Sequence, residues 1–247
     1  MANPVLNDKA FQRAEQYGQT ATGELMSVEG AINKTAFLLL LVVAGATWVW
    51  TRYFQAQDPA AIMPYLMGGV IGGLVAALVT IFAPTWARIS APVYAAAEGL
   101  ALGGISALYE QQFHGIVFQA IGLTFGVLAV MLLLYRSGII KVTDRFRMIV
   151  FAATGGIALF YLVTIVLSFF HVSVPLVYGG GTAAIVFSLV VVAIAALNLA
   201  LDFDFISRGA AGGAPKFMEW YAAFGLMVTL IWLYLEILRL LAKTRRR

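Results

Sequence analysis

The sequence consists of long apolar runs separated by short polar segments. Seven runs are long enough to cross a bilayer as helices, which takes about 20 apolar residues each. They cover roughly residues 35–54, 64–84, 91–109, 115–135, 148–170, 176–201 and 217–241. Apolar residues are continuous within each run rather than alternating, which disfavours the strands of a membrane β-barrel. The pattern predicts an all-α membrane protein with seven transmembrane helices over 35–241, between a polar N-terminal arm (1–34) and a basic C-terminal tail (242–247).

The composition supports a membrane protein. The chain is 62% hydrophobic and only 11% charged, whereas about a quarter of the residues of a soluble domain are charged. It has no cysteine, which excludes disulfides and thiolate metal sites. The polar start is too long and too polar for a signal peptide, so we expect no cleavage. The basic residues lie in separate short loops, so nucleic acid is not an expected partner.

The distribution of lysine and arginine predicts the orientation. With the N-terminus in the cytoplasm, the connections on the opposite side hold only Arg52, in agreement with the positive-inside rule. The cytoplasmic side then holds Lys9, Arg13, Lys34, Arg88, Arg136, Lys141, Arg145, Arg147, Arg208 and Lys216. The tail KTRRR disagrees, because seven crossings export it. Either the tail is an exception or the last run re-enters and returns; we favour seven crossings, because 217–241 is long and has no central helix breaker.

Acidic residues within the apolar runs are the candidate functional residues, because charge inside a membrane is costly. These acids are Glu98, Asp202, Asp204, Glu219 and Glu236. A helical rise of 1.5 Å per residue places Glu98 roughly 12 Å and Glu219 about 6 Å from the cytoplasmic side, and Glu236 about 30 Å from it. Asp202 and Asp204 end the sixth run on that same side.

Four acids and Arg88 are therefore expected in the cytoplasmic third of the membrane. Carboxylates crowded into a low-dielectric site can share a proton near physiological pH, and their oxygens also suit Ca²⁺. This predicts a pH-sensitive cation site or gate. The alternative is that each acid is satisfied locally: Asp202 and Asp204 by interfacial water, Glu219 by the helix dipole, and Glu236 by Arg239 three residues later.

Catalytic chemistry has little support. The two histidines, His114 and His171, are expected on the outer side and are too few for a metal cage. No glycine-rich loop ends in Lys-Ser or Lys-Thr, as nucleotide hydrolysis would require. Without a nucleophile–base pair or a metal set, the sequence does not predict an enzyme or a bound cofactor.

Several segments resemble a known family. YAAAEGLALGGIS (94–106), NLALDFDFI (198–206) and WLYLEILRLL (232–241) are similar to segments of the Bax inhibitor-1 family of transmembrane Bax inhibitor motif proteins. The N-terminal NPVLNDKAF and VEGAINKTAF are similar to its bacterial branch. The resemblance extends over nearly the whole chain and implies an integral protein of the bacterial plasma membrane, with six helices around a central seventh.

The resemblance also implies a function. Family members form a pH-dependent calcium leak controlled by two acids on spans six and seven, and some bacterial members regulate a membrane-bound ATP-dependent protease. The span-six acid corresponds to Asp202, and the family's arginine partner to Arg88. The motif selects Glu236 on span seven, whereas depth selects Glu219. We expect a calcium leak gated by protonation, with Glu98 and Asp204 along the ion pathway; the alternatives are a non-conducting regulator that binds its partner through the N-terminal arm and a proton-coupled transporter.

Overall fold

The computed structural model of the protein describes residues 24–172 and 174–246. Most of the predicted N-terminal arm, residues 1–23, lies outside the described residues. The described chain is 86% helical and contains no strand, although one isolated antiparallel bridge joins Leu25 and Pro215. The predicted all-α class is therefore confirmed.

Within the described residues, seven helices are long and apolar enough to cross a membrane, as the sequence predicts. We number these long helices in chain order: α1 Val28–Ala56, α2 Met63–Phe82, α3 Ala87–Gln112, α4 Ile116–Arg136, α5 Asp144–Phe169, α6 Thr182–Ala211 and α7 Met218–Arg245. A short helix, Pro175–Tyr178, precedes α6. The arrangement of six helices around a central seventh stays a prediction.

Capping residues determine where several helices begin, so their bounds differ from those of the apolar runs. The Ser27 side chain accepts a hydrogen bond from the backbone N–H of Gly30 and starts α1 before the first apolar run. Thr143 caps α5 in the same way by accepting from the N–H of Phe146. Both side chains satisfy backbone donors that have no partner within the first helical turn. The apolar runs are thus shorter than the helices, which begin in the polar segments before them.

The chain divides into two compact units. Of the described residues, the N-terminal unit contains 24–112 and 204–228, and the C-terminal unit contains 113–172, 174–203 and 229–246. The helices α6 and α7 contribute residues to both.

In the N-terminal unit, glycines allow α3 to pack closely against α1 and α2. A Cβ atom at Gly99 would lie 2.6 Å from the carbonyl oxygen of Val42 on α1, and one at Gly69 would lie 2.6 Å from that of Ala97 on α3. The motifs GGVIGG and GLALGG thus mediate the close helix approach that small residues permit in membranes. The glycines of GLTFG differ, since a Cβ at Gly122 or Gly126 would meet no described atom within 4 Å.

In the C-terminal unit, the connection between α4 and α5 packs against α6. Val150 and Leu201 form a buried cluster with Val142, Phe146 and Leu197 around them. One turn earlier on α6, the Asn198 side-chain amide donates a 2.8 Å hydrogen bond to the Thr154 hydroxyl on α5.

Each end of the last helix is bound within its own unit. In the N-terminal unit, Glu219 at the start of α7 pairs with Lys34 near the start of α1. In the C-terminal unit, Arg245 at the end of α7 donates a 2.7 Å hydrogen bond to the carbonyl of His114, in the connection between α3 and α4. The helix α7 is continuous from Met218 to Arg245, and its single crossing of the membrane stays a prediction.

Candidate functional site

Asp202 is fully buried within α6. This helix continues nine positions past it, to Ala211, which is about 13 Å at 1.5 Å per residue. Asp202 is therefore well inside the helix and not at its end, as the end of the apolar run suggested. Its neighbours in sequence are packed: Leu201 belongs to the buried cluster with Val150, and the ring of Phe203 lies 5.9 Å from that of Tyr135.

Asp204 forms a local ion pair. Its carboxylate accepts a 2.8 Å hydrogen bond from the Arg208 guanidinium one turn later on α6. The Arg208 side chain is 40% exposed, so the pair is near solvent or headgroups and contributes little to stability. The helix continues through this charged segment to Ala211.

Glu219 is buried at the start of α7 and binds the start of α1. One carboxylate oxygen accepts hydrogen bonds from the Ser27 backbone N–H at 2.8 Å and from the Ser27 hydroxyl at 3.0 Å. The other oxygen pairs with Lys34. Lys216 lies 3.5 Å from the first oxygen. Since the Glu219 side chain is 0% exposed, this is a buried charge held by donors from two helices, and we call it the α1–α7 latch (Ser27, Lys34, Glu219).

Neighbouring groups complete the α1–α7 latch. The Met26 N–H donates to the carbonyl of Ala214 at 2.7 Å, and the Lys216 N–H donates to that of Glu24 at 3.1 Å. Gly30 leaves the space that the Glu219 carboxylate occupies, because a Cβ at this position would overlap it. The segment before α1 is thus joined to the segment before α7 by backbone and side-chain bonds.

Glu236 is bound by two groups near the other end of α7. One oxygen accepts hydrogen bonds from the Tyr161 hydroxyl at 2.8 Å and from Arg239 at 2.6 Å. Arg239 also donates to the Tyr161 hydroxyl. Within the part of the chain that the structure describes, the second oxygen is buried and has no hydrogen-bond partner. The local pair with Arg239 that the sequence suggested is present, with Tyr161 from α5 added to it.

Glu98 and Arg88 lie on α3 in different surroundings. Glu98 is half-buried, and its carboxylate lies over α2, where a Cβ at Gly73 would be 2.9 Å from Oε1. Arg88 is exposed. Both belong to the N-terminal unit together with Asp204 and Glu219, whereas Asp202 and Glu236 belong to the C-terminal unit. The partner of Asp202 on α7 stays a prediction.

The predicted acids do not form a single ligand group. Over residues 24–172 and 174–246, no three acidic or histidine side chains lie together in a way that could hold a metal ion. Glu219, Asp204 and Glu236 instead each pair with a basic side chain. Among the described residues, these three carboxylates thus have separate basic partners rather than one shared ion.

No sequence pattern predicted the basic residues that contact these acids from other helices or that are buried near them. Lys34 was used only to predict the orientation of the chain. It follows Ser27 by two helical turns and therefore lies on the same face of α1 as that capping residue. Lys243 was expected in an exported basic tail, yet it is buried, at 3% exposed. Its ammonium donates to the carbonyls of Leu176 and Ala184 and to the Ser188 hydroxyl.

Comparison with known proteins identifies the family. No curated protein matches the chain. The sequence model of the family described as Bax inhibitor 1 like matches residues 3–246. This match covers essentially the whole chain, including α1–α7 and every acid described above. The chain therefore belongs to the Bax inhibitor 1 like family.

Proposed function

We propose that the protein is a pH-sensitive calcium leak channel, in which protonation of Asp202 opens or closes the pathway. The observation that carries this proposal is the complete burial of the Asp202 side chain within a membrane-spanning helix. A buried carboxylate is costly while it is charged, so gain or loss of one proton changes which local packing is favoured. Family membership and the resemblance to Bax inhibitor-1 proteins support the same role.

The other acids have supporting roles in this proposal. Half-buried Glu98 and Asp204 provide carboxylate oxygens along the ion pathway, and such hard oxygens suit Ca²⁺. Glu219, Glu236 and Arg88 are the candidate partners of Asp202 in the gate. Ca²⁺ is the transported ion and not a resident cofactor, and no enzymatic step is needed. The lysine and arginine distribution supports an N-terminus in the cytoplasm, and the resemblance to the family's bacterial branch supports a bacterial plasma membrane.

The test is calcium flux into liposomes that contain the purified protein and an internal calcium indicator. Flux is measured between pH 5 and 8 for the native protein, Asp202→Asn and the control Asp58→Asn, whose side chain is exposed in the connection between α1 and α2. We expect a pH-dependent flux in the native protein and the control, and a flux independent of pH in Asp202→Asn. A native flux-versus-pH curve in Asp202→Asn would contradict the proposed gate.

A second candidate is a non-conducting regulator of a membrane-bound protease. It is favoured by the separate ion pairs of Glu219, Asp204 and Glu236, because acids held by local cations are not available to a passing ion. Partner binding would then use the N-terminal arm. Deletion of residues 1–23 leaves the Ser27 cap in place, so it tests the arm without removing the α1–α7 latch.

The two candidates differ in their response to this deletion. The rate at which a membrane protease degrades a substrate is compared in cells that produce the native chain, the deletion or Asp202→Asn. A regulator requires the arm and tolerates Asp202→Asn. If the deletion leaves the degradation rate at the native value, the regulator is excluded.

A further inference from the structure

The connection between α4 and α5 carries a concentrated positive charge. Residues 136–147, RSGIIKVTDRFR, contain four basic residues and one acid, which gives a net charge of 4 − 1 = +3. Arg136, Lys141 and Arg145 are exposed. The acid, Asp144, pairs with Arg147 at 3.3 Å. We call the set Arg136, Ile139, Lys141 and Arg145 the basic turn.

The basic turn also exposes apolar side chains between its charges. Ile139 at its tip is 73% exposed, and Met148 and Ile149 just after it are each 65% exposed. The turn is held in this conformation, because Gly138 has a positive φ of 72° and the Ile140 N–H donates to the carbonyl of Leu134 at 3.1 Å. Cations interleaved with exposed apolar side chains are typical of surfaces that lie at the membrane interface.

The position of the basic turn along the chain places it at headgroup level. It joins the ends of two spanning segments, Ile116–Arg136 and Asp144–Phe169. Basic clusters directly next to membrane spans attract anionic lipids, and the attraction decays within a Debye length. A soluble phosphate would pair with the basic side chains of the turn but would leave Ile139 exposed to water. A phospholipid pairs with the same charges through its headgroup and covers Ile139 with its acyl chains.

The inner side of the same connection contacts both neighbours of Asp202. Val142 and Phe146 pack against the cluster that contains Leu201. Tyr135, directly before Arg136, contacts the ring of Phe203 at 5.9 Å between centroids. These side chains all belong to one compact unit. A restraint on the basic turn therefore also restrains α6 at the residues before and after Asp202.

We propose that the basic turn is a binding surface for anionic phospholipid headgroups, and that lipid bound there stabilises the segment of α6 around Asp202. Headgroup phosphates bind Arg136, Lys141 and Arg145, and the acyl region covers Ile139. Val142, Phe146 and Tyr135 transmit the restraint to Leu201 and Phe203. Lipid composition then regulates the gate; only this last consequence rests on the proposed function.

Lipid binding is tested on the full chain in nanodiscs of phosphatidylcholine with and without phosphatidylglycerol. Native mass spectrometry counts the phosphatidylglycerol molecules retained by the native protein, by Arg136→Gln/Lys141→Gln/Arg145→Gln, and by the charge-preserving control Arg136→Lys/Lys141→Arg/Arg145→Lys. We expect the affinity for phosphatidylglycerol to fall roughly fivefold for each charge removed. In the control, the affinity and the number of retained lipids should stay near the native values. Equal retention by the native protein and the neutral variant would overturn the proposal.

Transmission to α6 is tested by hydrogen exchange, which needs no ion flux. Phosphatidylglycerol should slow backbone exchange over residues 197–206 in the native protein and the control but not in the neutral variant. The same protection produced by inorganic phosphate in phosphatidylcholine nanodiscs would contradict a lipid ligand. Lipid-dependent protection in a protein that passes no calcium would refute the leak channel and leave the lipid surface intact.

Discussion

The carboxylate of Glu219, at the start of the last spanning helix, forms an ion pair with Lys34 near the start of the first. Their side chains are 0% and 18% exposed, so the pair is largely removed from solvent. Ser27 adds two hydrogen bonds to the same carboxylate, and these bonds connect helix ends that are 192 residues apart in sequence. The α1–α7 latch thus fixes the position at which the N-terminal segment enters the membrane domain.

Substitution of Glu219 by Gln should destabilise the protein. The change removes the charge that pairs with Lys34 and weakens the bonds from Ser27, and a hydrogen bond to a charged group contributes about 2 kcal/mol. Thermal unfolding in detergent should show a lower midpoint. Asp58→Asn is the control, because Asp58 is exposed and asparagine can keep the hydrogen bond that it accepts from the Ala60 N–H, so its midpoint should equal the native one. Equal midpoints for both variants would show that the α1–α7 latch does not stabilise the fold.

Substitution of Gly30 by Ala should also destabilise the protein, because it leaves too little space for the carboxylate in the α1–α7 latch. The added methyl group would overlap the Glu219 carboxylate, and displacement of a packed group costs about 1–3 kcal/mol. Gly68→Ala is the control on α2, since its methyl group would meet no described atom within 4 Å. Unfolding should start at lower temperature only in Gly30→Ala. A larger loss in Gly68→Ala would contradict the packing around Gly30.

The sequence was sufficient to predict the features that depend on local pattern. Seven apolar runs predicted seven spanning helices, and the segments around Glu98, Asp202 and Glu236 were sufficient to identify the family. Glycine spacing predicted close helix contacts, and Gly69 and Gly99 make them. Spacing alone did not separate these glycines from Gly122, because it does not show which helix face meets a neighbour.

Features that depend on distant pairing could not be predicted. The pairing of Glu219 with Lys34 spans 185 residues, and neither residue has a pattern that specifies the other. The end of α6 was placed too early because hydropathy falls at Asp202. The helix continues because helical hydrogen bonding tolerates polar residues, and Asp204 and Arg208 pair one turn apart on it.

Substitution of Tyr161 by Phe should weaken the contact between α5 and α7. The hydroxyl donates to Glu236 and accepts from Arg239. Its removal leaves the buried Glu236 carboxylate with the hydrogen bond from Arg239. The expected loss is about 1 kcal/mol, as for one side-chain hydrogen bond. Chemical unfolding with a graded detergent mixture measures this loss. Tyr109→Phe, on a half-buried tyrosine of α3, serves as the control and should lose less.

Cysteine labelling should place the two ends of α7 on opposite sides of the membrane. The chain has no cysteine, so single substitutions at exposed positions report their side without background. A membrane-impermeant maleimide added to intact cells should label Thr244→Cys and Ala61→Cys, which follow an odd number of crossings. Ser137→Cys follows four crossings and should react only after the cells are opened.

This pattern would also resolve the conflict between the basic tail and the positive-inside rule. Lys243 is buried against Leu176, Ala184 and Ser188, and Arg245 binds His114 and Gln119. Carbonyl, hydroxyl and amide oxygens of the folded protein thus replace part of the water around these cations, so the fold stabilises the basic side chains at this end of α7 while their charge remains. Labelling of Thr244→Cys and Ser137→Cys from the same side would mean that α7 does not cross, and the seven-crossing topology would be wrong.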